Sequence, residues 1–136
     1  MRISEKRIRW PLTAAAILSL IFFGPGQCTK RLGKGKSERA KMDIAELAGA
    51  LDLFRFDDGR FPSTEEGLGA LVRNPGLEKW GGPYLRKGVP SDPWGGDYHY
   101  RGPRRANDPG FEIWTWGADG VPGGTGEAAD VTYQKP

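Results

Sequence analysis

Cysteine and histidine are nearly missing from this chain of 136 residues: Cys28 and His99 are its single examples of each. One cysteine excludes an intrachain disulfide framework and a thiolate zinc cluster, and one histidine excludes a multi-histidine metal site. Long apolar runs are missing too. The longest, Trp10 to Phe23, covers 14 residues and carries Pro11, Thr13 and Ser19 within it. A polytopic membrane protein needs repeated runs of about 20 apolar residues, so that class is excluded. Glycine (21) and proline (11) are abundant but follow no period of three, which excludes collagen. Five Trp, four Tyr and six Phe argue for a packed core and against general disorder.

The charge is divided unevenly. Residues 1–41 hold ten basic and two acidic side chains, whereas residues 42–136 hold ten basic and fifteen acidic. The basic character therefore belongs to an N-terminal segment and not to a folded face, which argues against nucleic acid as a partner. Arg2, Lys6, Arg7 and Arg9 precede the apolar run, in the order of an export signal. At about 1.5 Å per residue the run is shorter than the ~30 Å hydrocarbon core. Gly24-Pro25-Gly26 is expected to break the helix behind it. Cys28 follows, an acceptor for lipid or a plain thiol beside the membrane, and then Lys30, Arg31, Lys34, Lys36, Arg39 and Lys41, suited to anionic headgroups or to water. We read residues 1–36 as a signal or membrane anchor and residues 37–136 as one domain.

Within that domain, residues 37–58 have helical periodicity: Ile44, Leu47, Ala48, Leu51 and Phe54 or Arg55 fall on one face, with Asp43 on another. Asp57-Asp58-Gly59 is a stop signal. A second, short helix is expected from Pro62, because Ser63 and Glu66 have capping-box spacing; Leu68, Leu71 and Val72 would form its buried side, and Asn74-Pro75-Gly76 would end it. Strands are expected at Tyr98–Arg101, Phe111–Trp116 and Val131–Tyr133, separated by turn-rich stretches. The order of elements predicts an α+β fold, a long N-terminal helix on a small antiparallel sheet of about three strands.

No nucleophile and base pair convincingly. His99 reads as a half-buried sheet residue, Asp57 and Asp58 as a helix end, and Trp80, Trp94, Trp114 and Trp116 as packing aromatics more than a sugar platform. The stretch Trp116-Gly-Ala-Asp119-Gly120-Val121-Pro-Gly-Gly-Thr-Gly-Glu127-Ala-Ala-Asp130 is more informative. Its glycines let carbonyls turn inward, and its carboxylates supply charge, so a hard cation such as calcium suits it better than zinc. Its spacing alone equally allows a plain hairpin loop with a turn at Asp119-Gly120 and Asp130 capping a strand.

Met42-Asp-Ile-Ala-Glu-Leu47 and Leu53-Phe-Arg-Phe-Asp-Asp-Gly59-Arg-Phe-Pro62-Ser-Thr-Glu-Glu-Gly67-Leu68 resemble the major pseudopilin of bacterial type II secretion systems, the protein G family. So do Gly82-Pro-Tyr-Leu85, Asp92-Pro-Trp-Gly95, and Trp116-Gly-Ala-Asp-Gly120 followed by Gly123-Gly124 and Ala129-Asp130. The resemblance implies a pilin-like fold and a non-enzymatic subunit of a short periplasmic filament. It implies anchoring in the bacterial inner membrane, with the C-terminal domain in the periplasm, and as partners copies of the chain itself, other pseudopilins and the inner-membrane secretion platform. It also implies a structural calcium ion held by the side chains of Asp119 and Asp130 and the carbonyls of Trp116 and Val121. The N-terminus departs from the family: no acidic residue lies between Lys6 and Arg31, and the Gly-Phe-Thr-Leu-Ile-Glu type of prepilin signal is not there. Pro25 nevertheless precedes the matched helix by about the family's distance, so residues 1–36 resemble a diverged pilin helix. The alternative expectation is a membrane- or lipid-anchored binding module of the same fold that does not polymerise.

Overall fold

The computed structural model describes residues 25–105, 108 and 110–136, with residues 25–34 described through their backbone alone. The export-type segment up to Gly24 lies outside the described residues. Among those described, no helix is long and apolar enough to cross a membrane.

Helix α1 runs from Pro25 to Asp58, 34 residues or about 50 Å at ~1.5 Å per residue. Its described part reaches twelve residues ahead of its apolar periodicity and is continuous through Gly26; the break expected behind the apolar run falls at the edge of the residues described. At the other end Gly59, at φ 81°, donates its N–H to the Arg55 carbonyl at 2.8 Å, the expected left-handed stop.

One face of α1 is buried through Ala40, Ile44, Leu47, Ala48, Leu51 and Phe54; Arg55 stays outside. Asp43 is buried as well, contrary to expectation. It is tolerated there because its two oxygens are both engaged, one by Arg39 Nε at 2.7 Å and the other by the Tyr98 hydroxyl at 3.1 Å. Burial and the neighbouring Asp43 charge push the Tyr98 phenol pKa up, so it remains a donor.

Strands β1 (His99–Arg101), β2 (Phe111–Thr115) and β3 (Val131–Lys135) form an antiparallel sheet in the order β1-β2-β3. β2 alternates as its sequence requires, with Phe111, Ile113 and Thr115 buried against Glu112 and Trp114 outward. Phe111 pairs with Lys135 and Thr115 with Val131 across the β2–β3 hairpin. Three strand ends differ from expectation: β1 starts at His99 and not at Tyr98, β2 stops before Trp116, which turns into a 3-10 segment, and β3 extends two residues past Tyr133. α1 packs against β2, β3 and the 3-10 turn Gly126–Ala128 that precedes β3. The helix thus supports both the sheet and the loop between its last two strands.

The expected second α-helix is a turn followed by a 3-10 segment, Leu68–Leu71. Its capping box does form: Ser63 N–H donates to Glu66 Oε2 at 2.7 Å, and Glu66 N–H to Ser63 Oγ at 3.2 Å. Gly67 then takes φ 60° and ψ −167°, which ends α-helical propagation after one turn. Ala70 takes the buried place expected for Val72, which is exposed. Arg60 grips both Glu66 oxygens, at 2.7 and 2.8 Å, and this fork holds the Glu66 carboxyl below the usual carboxylate range. Because the folded pKa is depressed, this stabilisation is full above the unfolded value and is lost as pH falls through the lower folded value. Glu66→Gln is expected to cost about 1–2 kcal/mol at neutral pH. Urea denaturation should show the gap to wild type closing in acid; a gap constant with pH would contradict the fork.

Candidate metal-binding loop

The loop between β2 and β3 is built on the register of the hairpin. Thr115 pairs with Val131, so the next step outward sets Trp116 across from Asp130 at the loop's base. Residues Gly117–Asp119 form a 3-10 turn that Gly120 ends in the left-handed region, φ 67°. Asp119 Oδ1 accepts the Val121 N–H at 3.2 Å, a local turn that ties two of the expected ligand residues together. Asp130 Oδ2 reaches back to accept the Gly123 N–H at 2.9 Å, so the loop closes on itself. Of the four expected ligand residues, the structure joins Asp119 with Val121, while Asp130 bonds to Gly123 and Trp116 lies one step beyond the last β2–β3 pair. Both carboxylates are exposed, as is Val121.

Two glycines let the loop close tightly. A Cβ on Gly117, at φ 69°, would stand 2.8 Å from the carbonyl oxygens of both Glu127 and Ala129. One on Gly124 would stand 2.4 Å from the Ala128 oxygen. Carbonyl oxygens from residues 127–129 therefore crowd against Gly117 and Gly124, beside a chain that carries two aspartates. Among the described residues no three His, Cys, Asp or Glu side chains gather to hold a metal. A cation here depends on backbone carbonyls as much as on carboxylates. An all-oxygen donor set would be the kind calcium takes, and the close approach of these carbonyls to the chain is possible only because residues 117 and 124 are glycine.

A second pair of residues supports the loop and was not singled out for it in the sequence. Asp92 is buried, its Oδ1 accepting the N–H groups of Trp94 at 3.0 Å and Gly96 at 2.7 Å. Its Oδ2 accepts the hydroxyl of Thr115, the last residue of β2. Thr115 Oγ1 in turn accepts the Gly117 N–H at 3.3 Å. The Asp-Pro-Trp-Gly stretch and a threonine at an inward strand position were the available signals.

The remaining candidates are occupied by structure. The Tyr84 hydroxyl donates to Asp57 at 2.8 Å, and Asp58 pairs with Arg60 at 3.1 Å, so the two acids serve different partners. His99 stacks on Trp114 at 5.3 Å and meets Trp116 at a tilt at 4.1 Å, the three rings clustering on the outer face of the sheet. Trp80 and Trp94 pack against the core instead, so the four tryptophans form no single platform.

A long helix laid on a three-stranded antiparallel sheet, with its chain ending in a looped hairpin, defines a pilin-like structural module. The structure is similar to the crystal structure of the major pseudopilin from the type 2 secretion system of enterohaemorrhagic Escherichia coli, with a TM-score of 0.59 and 31% identity, covering 80% of this chain and 94% of that one. Residues 27–134 match the family described as type II secretion system (T2SS), protein G. The type II secretion system core protein G of Pseudomonas aeruginosa is 38% identical over 109 residues, 77% of this chain and 75% of that protein. Its counterpart in Vibrio cholerae is 40% identical over 103 residues, 72% and 68% of the two chains. The chain belongs to the type II secretion system protein G family, the major pseudopilins, which are non-enzymatic subunits of the pseudopilus in protein secretion. Membership puts it in the cell envelope, among secretion-system partners.

Proposed function

We propose that this chain is a membrane-held pseudopilus subunit whose last loop is stabilised by calcium. Residues 1–36 would partition into the inner membrane, and residues 37–136 would face the periplasm, assembling with copies of the chain and with other pseudopilins on the inner-membrane platform. The observation that carries the calcium reading is the closed, oxygen-rich loop: Asp130 folded back on Gly123, and the carbonyls of Glu127 and Ala129 crowded onto Gly117. Asp119 and Asp130 would hold the ion with the carbonyls of Trp116 and Val121. When bound, the cation supplies positive charge that offsets the repulsion of the two carboxylates and gathers neutral carbonyl dipoles. Asp130 fixes the start of β3, Asp119 fixes the turn at Gly120, and α1 backs the loop at Gly126–Ala128. The loop is thereby made a rigid part of the surface a filament subunit presents.

Thermal unfolding of the purified chain tests this. Saturation at about 100 times the dissociation constant stabilises by about 2.7 kcal/mol, or roughly 10 °C in Tm for a domain this size. Millimolar calcium is expected to raise Tm by that order, and Asp119→Ala or Asp130→Ala to remove the rise. Equal Tm in calcium and in chelator would overturn the site.

A further inference from the structure

We infer that Thr115, held by Asp92, is a positioning residue that aims the Trp116 carbonyl into the calcium loop; the inference rests on the calcium reading above. Peptide geometry makes the link. Gly117 N–H and Trp116 C=O belong to the same peptide, and the single cis bond among the described residues lies elsewhere, at Gly82-Pro83. In a trans peptide the N–H and C=O point in opposite senses across one rigid plane. Whatever fixes the Gly117 N–H therefore fixes the Trp116 carbonyl. The side chain that fixes it is Thr115 Oγ1, 3.3 Å away, acting beside the 3-10 turn Gly117–Asp119 that Trp116 caps.

Thr115 itself has little freedom. It is 1% exposed, and its hydroxyl hydrogen is committed to Asp92 Oδ2. A hydroxyl carries one donor hydrogen, so donation to Asp92 leaves only lone pairs for the Gly117 amide. Asp92 is fixed in turn, because Oδ1 already accepts two amides from its own turn, Trp94 and Gly96. The backbone closes that turn again where Asp92 N–H donates to the Gly96 carbonyl at 2.8 Å. The line of hydrogen bonds thus runs from a rigid turn at residues 92–96, through the end of β2, to the peptide that would supply a ligand. It ends where Gly117 meets the Glu127 and Ala129 carbonyls. Groups that orient metal ligands without touching the metal typically change its affinity by 10–100-fold when removed. Valine at position 115 would keep the shape and the β-branch but supply neither the donor nor the acceptor.

Calorimetric titration of calcium into the full chain tests the assignment, with Thr115→Val, Thr115→Ser and Asp119→Ala alongside wild type. Thr115→Val is expected to weaken calcium binding at least about tenfold, and Thr115→Ser, which restores the hydroxyl, to recover most of the loss. A purely packing role would give the opposite order, since valine fills the site better than serine. Wild-type affinity in Thr115→Val would overturn the positioning role while leaving the calcium site standing. Absence of binding in wild type would overturn both. If Thr115→Val does not fold, Thr115→Ala reads the same link: it removes the hydroxyl with no added bulk and leaves the Asp92 turn its Trp94 and Gly96 amides. Thr115→Ala with unchanged calcium affinity would likewise overturn the inference.

Discussion

Phe54→Ala should lower the stability of the chain by about 3–5 kcal/mol, the range for removing a fully buried aromatic ring. Phe54 is 0% exposed and sits on the last turns of α1, where it meets Tyr84 edge-on at 5.8 Å. Tyr84 is itself tied to the end of α1 by its hydrogen bond to Asp57. Removing the ring therefore opens a cavity at the junction of the helix and the chain that leads to the sheet. Phe56, two residues on, is 87% exposed, and Phe56→Ala should stay within about 0.5 kcal/mol of wild type. Denaturant titration of the two variants separates them. Similar small losses in both would contradict the helix phase on which the packing of α1 rests.

Gly117→Ala is expected to cost about 3 kcal/mol of stability. Two effects act in the same direction. The residue takes φ 69°, a region that an L side chain enters only with strain. The added methyl would also meet two backbone oxygens at 2.8 Å, and backbone cannot move aside as the end of a flexible side chain can. Gly120→Ala is the control. It too has a positive φ, 67°, but nothing lies within 4 Å of its Cβ position, so only the conformational part of the cost, about 1–2 kcal/mol, should remain. Equal losses in the two variants, by chemical denaturation, would show that the carbonyls of Glu127 and Ala129 do not close on Gly117.

The features legible in the sequence are those whose causes are local. The spacing of Ile44, Leu47, Leu51 and Phe54 marks the buried face of α1, and the alternation of Phe111, Ile113 and Thr115 marks the inner face of β2. Asp43 escapes that logic because its burial depends on Tyr98, 55 residues away. The short helix expected after Pro62 fails for a related reason. Its capping box is correct, but Gly67 leaves the helical region one turn later, and a cap cannot carry a helix past such a residue. At the candidate site the two aspartates and the glycines announce a loop rich in oxygen. The support from Asp92 is not announced, since its role depends on the Thr115 hydroxyl 23 residues further on. A strand pattern shows only that Thr115 points inward, and not what meets it there.

Whether the last loop of this pseudopilin holds calcium through carboxylates and carbonyls is decided by a crystal structure grown in millimolar calcium. One strong anomalous peak is expected within about 2.3–2.6 Å of oxygens from Asp119, Asp130 and the Trp116 carbonyl. A well-ordered loop with no such peak, its aspartates bonded only to the Val121 and Gly123 amides, would contradict the calcium site.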